Sequence, residues 1–405
     1  MAEIIEANSE AAVVEAIAAA AAAGRPIEIR GAGSKAGLGR PMQAGSCLAM
    51  TGLSGVTAYE PEELVLTAWA GTPLAAIEDC LTAGGQALAF EPRDLSAVLG
   101  GTGLQTLGGV VATNLSGPRR CVGGAVRDHV LGLRAVNGMG ELFKAGGKVV
   151  KNVTGYDLCK VLTGSFGTLA AFTEITVKVL PAAETEETLL VLGQDAAAAV
   201  RLMSQALGSS ANPSAAAWLP GPLAGRSEAA GLSGGGAATC LRLEGFGPSV
   251  EARRRALLDR LGSGSQVVLL AAEGSRRLWR QLRDLLVFVP GRPDFALWKL
   301  ALRPSDAPAL VERLSRLDGA LPFLDWGGGL AWLGLPCGDD AQAAAVRDAM
   351  PAGGHATLVG APAAVRASQP VFQPLPPPLA ALEARLKGSF DPKGILNPGR
   401  MVATA

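Results

Sequence analysis

The sequence predicts an α+β protein built from two domains and a C-terminal segment. Its 405 residues are long for a single hydrophobic core. Glycine-rich loops separate short strand-like runs up to Pro181, and beyond it amphipathic helices alternate with strands. We therefore expect one domain over 1–182, a second over 183–370, and a segment over 371–405.

The composition predicts a folded chain without a nucleic-acid surface. Hydrophobic residues make up 49% and charged residues 18%, which suits a sizeable core. Lys+Arg and Asp+Glu both number 36, so the net charge is zero and no basic footprint is expected. The acidic N-terminus predicts no secretory signal, and Ala11–Ala23 is too short to cross a bilayer. We expect a cytoplasmic protein, peripheral at the inner membrane only through partners.

Cysteines and histidines indicate no metal or iron–sulfur centre. None of the six cysteines lies in a C-x-x-C pair, and metal sites need thiolates at short spacing. The two histidines, His129 and His355, are far apart in the sequence. We expect the cysteines to be scattered reduced thiols.

The first half predicts strands joined by glycine-rich loops. Ser9 precedes the apolar stripe of a helix that Gly24 ends. Pro26–Arg30 alternates like a strand, and Thr72-Pro73 begins a helix that runs to about Ala83. The remaining predicted elements are strands at Cys47–Thr51, Val56–Tyr59, Leu64–Ala70 and Phe172–Leu180, a hairpin of Leu131–Asn137 and Glu141–Lys144, and a helix at Tyr156–Leu162.

The second half predicts an antiparallel sheet with helices on one side. Gly231–Gly236 is typical of a flexible loop, and Gln369–Pro378 of an extended proline-rich segment. The predicted elements are helices at Ala196–Leu207, Val250–Leu261 and Leu379–Lys387, and strands at Ala238–Glu244, Phe295–Leu302 and Leu330–Leu335.

A glycine-rich loop, Gly31–Gly39, follows the Pro26–Arg30 strand and suits a phosphate. Glycines after a strand let backbone N–H groups point at an anion, and Lys35 adds charge. A Rossmann site fits poorly, because Gly37, Gly39 and Pro41 prevent a helix directly after the loop. A Walker A motif is absent from the sequence. A plain tight turn remains the alternative.

A second glycine-rich region indicates close backbone approach to a ligand. Gly100–Gly103 precedes Gln105–Asn114, where Gly108 and Gly109 interrupt an apolar, helix-like stretch. A glycine inside a helix lowers its stability by about 0.5–1 kcal/mol relative to alanine, so two adjacent glycines indicate a further role. Short polar side chains stand nearby, at Thr106, Thr113 and Asn114. A glycine-rich packing contact is the other interpretation.

Two further motifs complete an ordered set of four. They are Lys151–Asp157 with Gly164–Leu169, and the tail Phe390–Met401, which contains F-D-P and L-N-P-G. In this order the set resembles the FAD-binding domain of the vanillyl-alcohol oxidase and p-cresol methylhydroxylase superfamily. The resemblance implies a two-subdomain FAD-binding domain and a smaller α+β cap domain with an antiparallel sheet.

A narrower resemblance comes from Gly117–Arg120, Arg127–Gly132 and Asn152–Leu158. These segments are similar to the small FAD-binding subunits of bacterial glycolate oxidases. The similarity implies two partners, a catalytic FAD subunit and an iron–sulfur subunit. It also implies oxidation of glycolate, a 2-hydroxy acid, to glyoxylate, with electrons passed to the iron–sulfur partner.

The resemblance assigns residues to FAD. Ser34 stands where covalent members carry a histidine, so attachment is expected to be non-covalent, although Cys121 lies where some members carry a cysteinyl link. The implied contacts are Arg30, Gly31, Ala32, Gly33, Ser34 and Lys35 at the pyrophosphate, Gly108, Gly109, Thr113 and Asn114 toward the isoalloxazine, Gly164, Gly167 and Ile175 at the adenine half, and also Thr106, Gly117 and Asn397.

Catalytic residues are less defined. A substrate over a flavin is usually held by Arg or Lys, which makes Lys299 a candidate beside Trp298. Tyr156 is a second candidate, although Tyr156 and Asp157 equally suit a helix cap, and His129 suits a local hydrogen bond better than a base. Trp279-Arg280 and Asp325-Trp326 are further pairs of interest in the cap.

Relatives that oxidise 2-hydroxy acids carry a histidine-rich metal site in the cap, and this sequence does not match it. Two alternatives remain to a subunit that passes electrons to an iron–sulfur partner. One is a self-sufficient FAD-dependent 2-hydroxy-acid dehydrogenase, and the other is a non-catalytic assembly subunit.

Overall fold

The structure is a computed structural model that describes residues 3–101, 103–148, 155–229, 232, 235–262, 264–289 and 295–403. Two sequence predictions therefore lie outside the described residues in part. They are the Lys151–Asp157 motif, of which residues 151–154 lie outside, and the Gly231–Gly236 loop, of which residues 231, 233 and 234 lie outside.

The first half of the chain forms the predicted strands with small shifts at their ends. The strands are β1 (Glu3–Glu6), β2 (Ile27–Arg30), β3 (Ser46–Ala49), β4 (Val56–Glu60), β5 (Val65–Trp69), β6 (Gln86–Ala87), β7 (Val130–Asn137), β8 (Leu142–Gly146), β9 (Ala170–Lys178) and β10 (Leu180–Pro181). The helices are α1 (Glu10–Ala23), α2 (Leu74–Ala83), α3 (Ser96–Leu99), α4 (Leu107–Thr113), α5 (Arg120–Gly123), α6 (Val126–His129) and α7 (Leu158–Leu162).

Two main sheets organise this half. A three-stranded parallel sheet has the order β1-β3-β2, and a five-stranded antiparallel sheet has the order β4-β5-β9-β7-β8. The predicted cap of α1 is confirmed, because the Ser9 side chain accepts from the N–H of Ala12 and Gly24 ends the helix with φ of 59°. The helix predicted from Tyr156 begins only at Leu158, since Asp157 is its N-cap.

The second half forms one eight-stranded sheet in the order β14-β11-β13-β12-β16-β17-β15-β18, with antiparallel neighbours throughout. Its strands are β11 (Thr185–Leu192), β12 (Ala215–Leu219), β13 (Ala238–Gly245), β14 (Val267–Leu270), β15 (Phe295–Ala301), β16 (Leu321–Asp325), β17 (Leu330–Pro336) and β18 (His355–Gly360). The helices of the second half and the tail are α8 (Ala196–Leu207), α9 (Gly221–Ala224), α10 (Gly247–Leu261), α11 (Ala272–Arg283), α12 (Ala307–Leu314), α13 (Ala343–Ala349), α14 (Ala363–Ser368) and α15 (Pro377–Phe390).

Helices lie on both faces of this sheet, so the prediction of helices on one side is wrong. One face packs α8, α10, α12 and α13 in a core that includes Trp298. The other face packs α11 and side chains of the first half, including Leu38 and Leu115, in a core that includes Trp332. Both faces of the strands are apolar because both are covered.

The tail after α15 lies against the first half of the chain. Leu396 pairs with Ile27 of β2 in a parallel bridge, so the tail extends the small parallel sheet by one short strand. The buried Asp391 carboxylate accepts from the N–H groups of Ile395 and Leu396 at 3.1 and 2.8 Å. We propose domain boundaries at 182/183 and 370/371 on the basis of these sheets.

A buried ion pair joins the two halves. Arg93 and Asp325 pair with their side chains fully buried, one from the loop after β6 and the other from the end of β16. The same guanidinium donates to the carbonyl oxygens of Ser116 and Arg283 at 2.7 and 2.6 Å. A buried pair of this kind contributes geometry more than net stability, but removing one partner leaves an uncompensated charge.

We expect Asp325→Asn to lower the free energy of unfolding by about 3–5 kcal/mol, because the Arg93 charge then stays buried without a partner. Asp306→Asn is the control, since its pair with Arg303 is largely exposed and should change stability by no more than about 1 kcal/mol. Urea unfolding of both variants measures the difference. Equal stability of the two variants would contradict the role given to Arg93 and Asp325.

Candidate functional site

A cleft in the first domain, open to solvent, lies at the carboxyl end of β2. It brings together segments that are far apart in the sequence. Its lining residues are Glu28, Ile29, Arg30, Gly31, Ala32, Gly33, Ser34, Lys35, Ala36, Thr106, Gly109, Ala112, Thr113, Phe166, Asn397 and Arg400.

The loop over 31–35 presents backbone donors that the protein does not use. Within the described chain, the N–H groups of these five consecutive residues donate to no acceptor. The next amide, of Ala36, donates to the Gly33 carbonyl oxygen at 3.0 Å and closes the turn. Gly33 has φ of 86°, a conformation that favours glycine. A run of unpaired amides at a strand end is an anion-binding arrangement.

The second glycine-rich segment holds this loop in place. A Cβ on Gly103 would lie 1.6 Å from the Ala32 carbonyl oxygen, and a Cβ on Gly31 would lie 2.4 Å from Thr106 Oγ1. Thr106 also accepts from the N–H of Gly109 at 3.3 Å as the N-cap of α4. Glycine is required at position 103 because the two backbones touch there, whereas at position 31 a side chain would collide with the Thr106 hydroxyl.

Gly109 and Gly108 differ in what they face. Gly109 lines the cleft, and a Cβ there would meet only Thr106 Oγ1, at 3.3 Å. Gly108 instead faces β5, where a Cβ would lie 2.9 Å from the Ala70 carbonyl oxygen. Ligand approach therefore stays a prediction for Gly109, which lines the cleft, whereas Gly108 makes a packing contact with β5.

Cationic side chains surround the loop amides. Lys35 and Arg400 line the cleft together with Arg30, against the carboxylate of Glu28, which lies 3.9 Å from Arg30. Burial lowers the pKa of Lys35 to about 8 and that of Arg400 to about 10. A lowered pKa of a cation means that its charge is poorly compensated where it lies. A bound anion would supply that compensation.

Asn397 fastens three chain segments beside the cleft. Its Oδ1 accepts from the N–H of Ile29 and its Nδ2 donates to the carbonyl oxygen of Phe166, both at 2.7 Å. A Cβ on Gly167 would lie 2.6 Å from the same Nδ2. The side chain thus ties the tail to β2 and to the loop before β9.

Several residues assigned to FAD lie elsewhere. Ile175 is fully buried in the core of the antiparallel sheet, paired with Ala68 and Leu133, so its side chain does not reach the cleft. Gly117 packs against the Glu91 carbonyl oxygen, where a Cβ would lie 2.4 Å away. The other residues outside the cleft lining, besides Gly108, are Asn114, Gly164 and Gly167, which support the neighbouring turns.

The sequence prediction missed other residues of the lining. Arg400 had a usable signal, because it directly follows the N-P-G of the tail motif. Phe166 lies inside the Gly164–Leu169 motif and has φ of 54°, which no sequence pattern predicts for a phenylalanine. The remaining residues missed are Glu28, Ile29, Ala36 and Ala112.

The catalytic candidates are not in this cleft. Tyr156 is 92% exposed on the surface. Lys299 lies at the interface between the halves, where Trp326 is 5.6 Å from its Nζ. Trp298 points to the opposite face of the sheet and donates from Nε1 to the Ala341 carbonyl oxygen at 3.1 Å. His129 Nε2 lies 2.6 Å from the Gly123 carbonyl oxygen, which supports its reading as a local hydrogen-bond partner.

Among the described residues, no three His, Cys, Asp or Glu side chains are grouped so that they could hold a metal ion. Across that same part of the chain, no helix combines the length and the apolar character needed to cross a membrane.

The cleft fits the diphosphate of FAD. Five amide donors without acceptors and three cations match an anion that carries two phosphates. The sequence pattern of the FAD binding domain family matches residues 1–146. A 4-ethylphenol oxidase from Gulosibacter chungangensis has the same fold, with a TM-score of 0.73 and 12% identity over 99% of this chain and 89% of that one. The class is therefore an FAD-dependent oxidoreductase with the p-cresol methylhydroxylase-type fold.

A narrower family follows from sequence similarity. Glycolate oxidase subunit GlcE of Escherichia coli is 36% identical over 398 residues, covering 98% of this chain and 99% of the relative. Glycolate oxidase subunit GlcD of Bacillus subtilis is 32% identical over 198 residues, 49% of this chain and 41% of the relative. This chain belongs to the GlcE family of glycolate oxidase subunits.

We expect Gly109→Val to abolish FAD retention while leaving the fold intact, because the new side chain projects into the cleft and meets little protein. Gly388→Val is the matched control, since a Cβ at this glycine of α15 has no neighbour within 4 Å. The FAD-to-protein ratio after gel filtration and the circular dichroism spectrum measure the two effects. A folded Gly109→Val variant that retains a full complement of FAD would contradict the placement.

Proposed function

We propose that this chain is the FAD-binding subunit of a glycolate-oxidising complex. It binds FAD without a covalent bond, takes part in the oxidation of glycolate to glyoxylate, and passes electrons to a partner iron–sulfur subunit beside a catalytic FAD subunit. The observation that carries the proposal is the amide-lined cleft over 31–35 in a chain similar to GlcE along almost its whole length.

The residues near the cleft favour non-covalent binding. Ser34 offers an alcohol at the position where covalent relatives carry a histidine. Cys121 does not line the cleft, and its Sγ lies 3.9 Å from the carbonyl oxygen of Ser214 in the cap. Burial raises the pKa of its thiol to about 11, so the nucleophilic thiolate is scarce at neutral pH.

Bound FAD would supply the two-electron acceptor that oxidation of a CH–OH group requires. The described residues bind and orient it. Loop amides 31–35 with Lys35 and Arg400 hold the diphosphate, and Asn397 keeps the tail closed against β2. We place the protein in the cytoplasm, with any membrane attachment through its partners.

Two other functions remain as competitors. A self-sufficient 2-hydroxy-acid dehydrogenase would need its own substrate site, and the partly buried Lys299 at the interface between the halves favours this candidate. A non-catalytic assembly subunit would keep the fold without using the flavin.

Purification of the chain alone and together with its partners separates the three functions. We expect a yellow protein whose flavin absorbance is bleached by glycolate only when the partner subunits are present. Bleaching of the chain alone would favour the self-sufficient dehydrogenase. A colourless, folded chain that cannot be reconstituted with FAD would favour the assembly subunit and overturn the proposal.

We expect Arg400→Met to weaken FAD binding by about tenfold, the loss that follows from removing one charge-assisted hydrogen bond to a phosphate. Arg385→Met is the control, because this arginine of α15 is exposed and outside the cleft. Quenching of free FAD fluorescence on titration with the apoprotein gives both dissociation constants. Equal dissociation constants for the two variants would show that Arg400 does not contact FAD.

A further inference from the structure

Two cationic side chains from different domains meet at one tryptophan ring. The Arg120 guanidinium of α5 lies 4.4 Å from the centre of the Trp326 ring, and Lys299 Nζ of β15 lies 5.6 Å from it. The charged neighbours that act on Lys299 are Arg120 and Arg93, which are both cations. Among the described residues, no ion pair includes Lys299 or Arg120, whereas Arg93 is paired with Asp325. Asp128 acts on Arg120 and compensates its charge in part, but burial still lowers the pKa of Arg120, and no carboxylate acts on Lys299. The site therefore carries positive charge that the described residues compensate poorly.

The same face of the cap sheet holds an unused donor. Lys299 pairs across the ladder with Trp332 of β17 and with Thr357 of β18, so the three side chains lie on one face. This face is turned toward the first domain, because Trp332 shares a core with Leu38. Trp332 is fully buried, and its Nε1–H has no acceptor in the part of the chain that the structure describes.

The tryptophan that both cations contact is held in a strained position. Trp326 has φ of 53°, which is costly for a bulky side chain. Its N–H donates to Asp325 Oδ1 at 2.8 Å, and its Nε1 donates to the Gly117 carbonyl oxygen at 2.9 Å. The buried pair with Arg93 fixes Asp325 in turn. Strain that the surroundings maintain in this way is typical of binding sites.

We propose that Lys299 and Arg120 bind the carboxylate of a small 2-hydroxy acid beside the Trp326 ring, forming an interface anion site. The proposal rests on the proposed function, since it gives the oxidised substrate a place in this subunit. Two cations and an unused N–H donor lack an acceptor, and a carboxylate supplies two charged oxygens. Lys299, Arg120 and Trp326 are all partly exposed, so a small solute can reach them.

The pKa of Lys299 shows that its charge is poorly compensated by the surrounding protein. Burial, together with Arg120 and Arg93, lowers its pKa to about 8. Replacement by methionine removes a poorly compensated, partly buried charge and should raise the melting temperature. Arg347→Met is the control for the binding experiment, because this guanidinium lies 5.0 Å from the Trp298 ring on the opposite face of the sheet.

Calorimetric titration of the FAD-loaded chain tests the site. Sodium glycolate is expected to bind, while glycolamide, its neutral analogue, is not. Lys299→Met and Arg120→Gln should each weaken glycolate binding by about ten- to a hundredfold, and Arg347→Met should leave it unchanged. The FAD content of all variants should equal that of the parent chain.

The pH dependence supplies a second readout. Glycolate affinity should fall as pH rises above about 8, since Lys299 then loses its proton. The charged groups that face it are Arg120 and Arg93, the latter paired with Asp325, and its ladder neighbours Trp332 and Thr357 carry no ionisable group. Lys299→Met should abolish this dependence between neutral pH and pH values above the pKa.

Several results would overturn the interface anion site. They are glycolate binding that Lys299→Met and Arg120→Gln leave unchanged, equal binding of glycolamide, or absence of glycolate binding to the parent chain. Loss of FAD from both variants would show that the cluster holds the flavin instead, which also overturns it. A chain that takes up no FAD but still binds glycolate through Lys299 would reject the proposed function and retain the site.

Discussion

Close contact between two glycine-rich segments is the constraint on which the FAD site depends. The carbonyl oxygens of Ala32 and Ser34 face the second segment so closely that a Cβ on Gly103 or Gly101 would lie 1.6 or 2.8 Å away. The second segment covers these carbonyl oxygens of the loop, and the N–H groups of residues 31–35 have no acceptor in the described chain. Unpaired amides cost free energy in a folded protein, and a bound diphosphate removes that cost. Glycine at positions 101 and 103 is thus needed for the two segments to come this close.

The two candidate sites share one electrostatic property. Lys35 and Arg400 in the cleft, and Lys299 at the interface, are all cations whose pKa burial lowers. Arg242, another buried cation, is compensated instead, because it pairs with both oxygens of Glu91 at 2.8 Å. We place an anionic ligand at each poorly compensated cluster: the diphosphate of FAD in the first domain and a carboxylate between the domains.

Much of the fold was predictable because it depends on local chemistry. Ser9 caps the start of α1 and Gly24 ends it, as predicted, and the hairpin of β7 and β8 follows from its glycine turn. The helices of the cap illustrate the limit. Strands that are apolar on both faces need cover on both faces, but the pattern does not say which helix goes to which side, and α11 packs opposite α8. Contacts across the chain decide that arrangement.

The sequence by itself determined the family motifs and the glycine-rich loop over 31–35 that lines the cleft, because glycine spacing and turn chemistry act over a few residues. Only the tertiary structure decided which glycine of a pair faces the cleft, as Gly109 does while Gly108 packs on β5. It also brought Arg400 to Lys35, and Lys299 to Arg120, across long stretches of chain. Such contacts depend on how sheets and domains pack, and packing is a property of the whole chain.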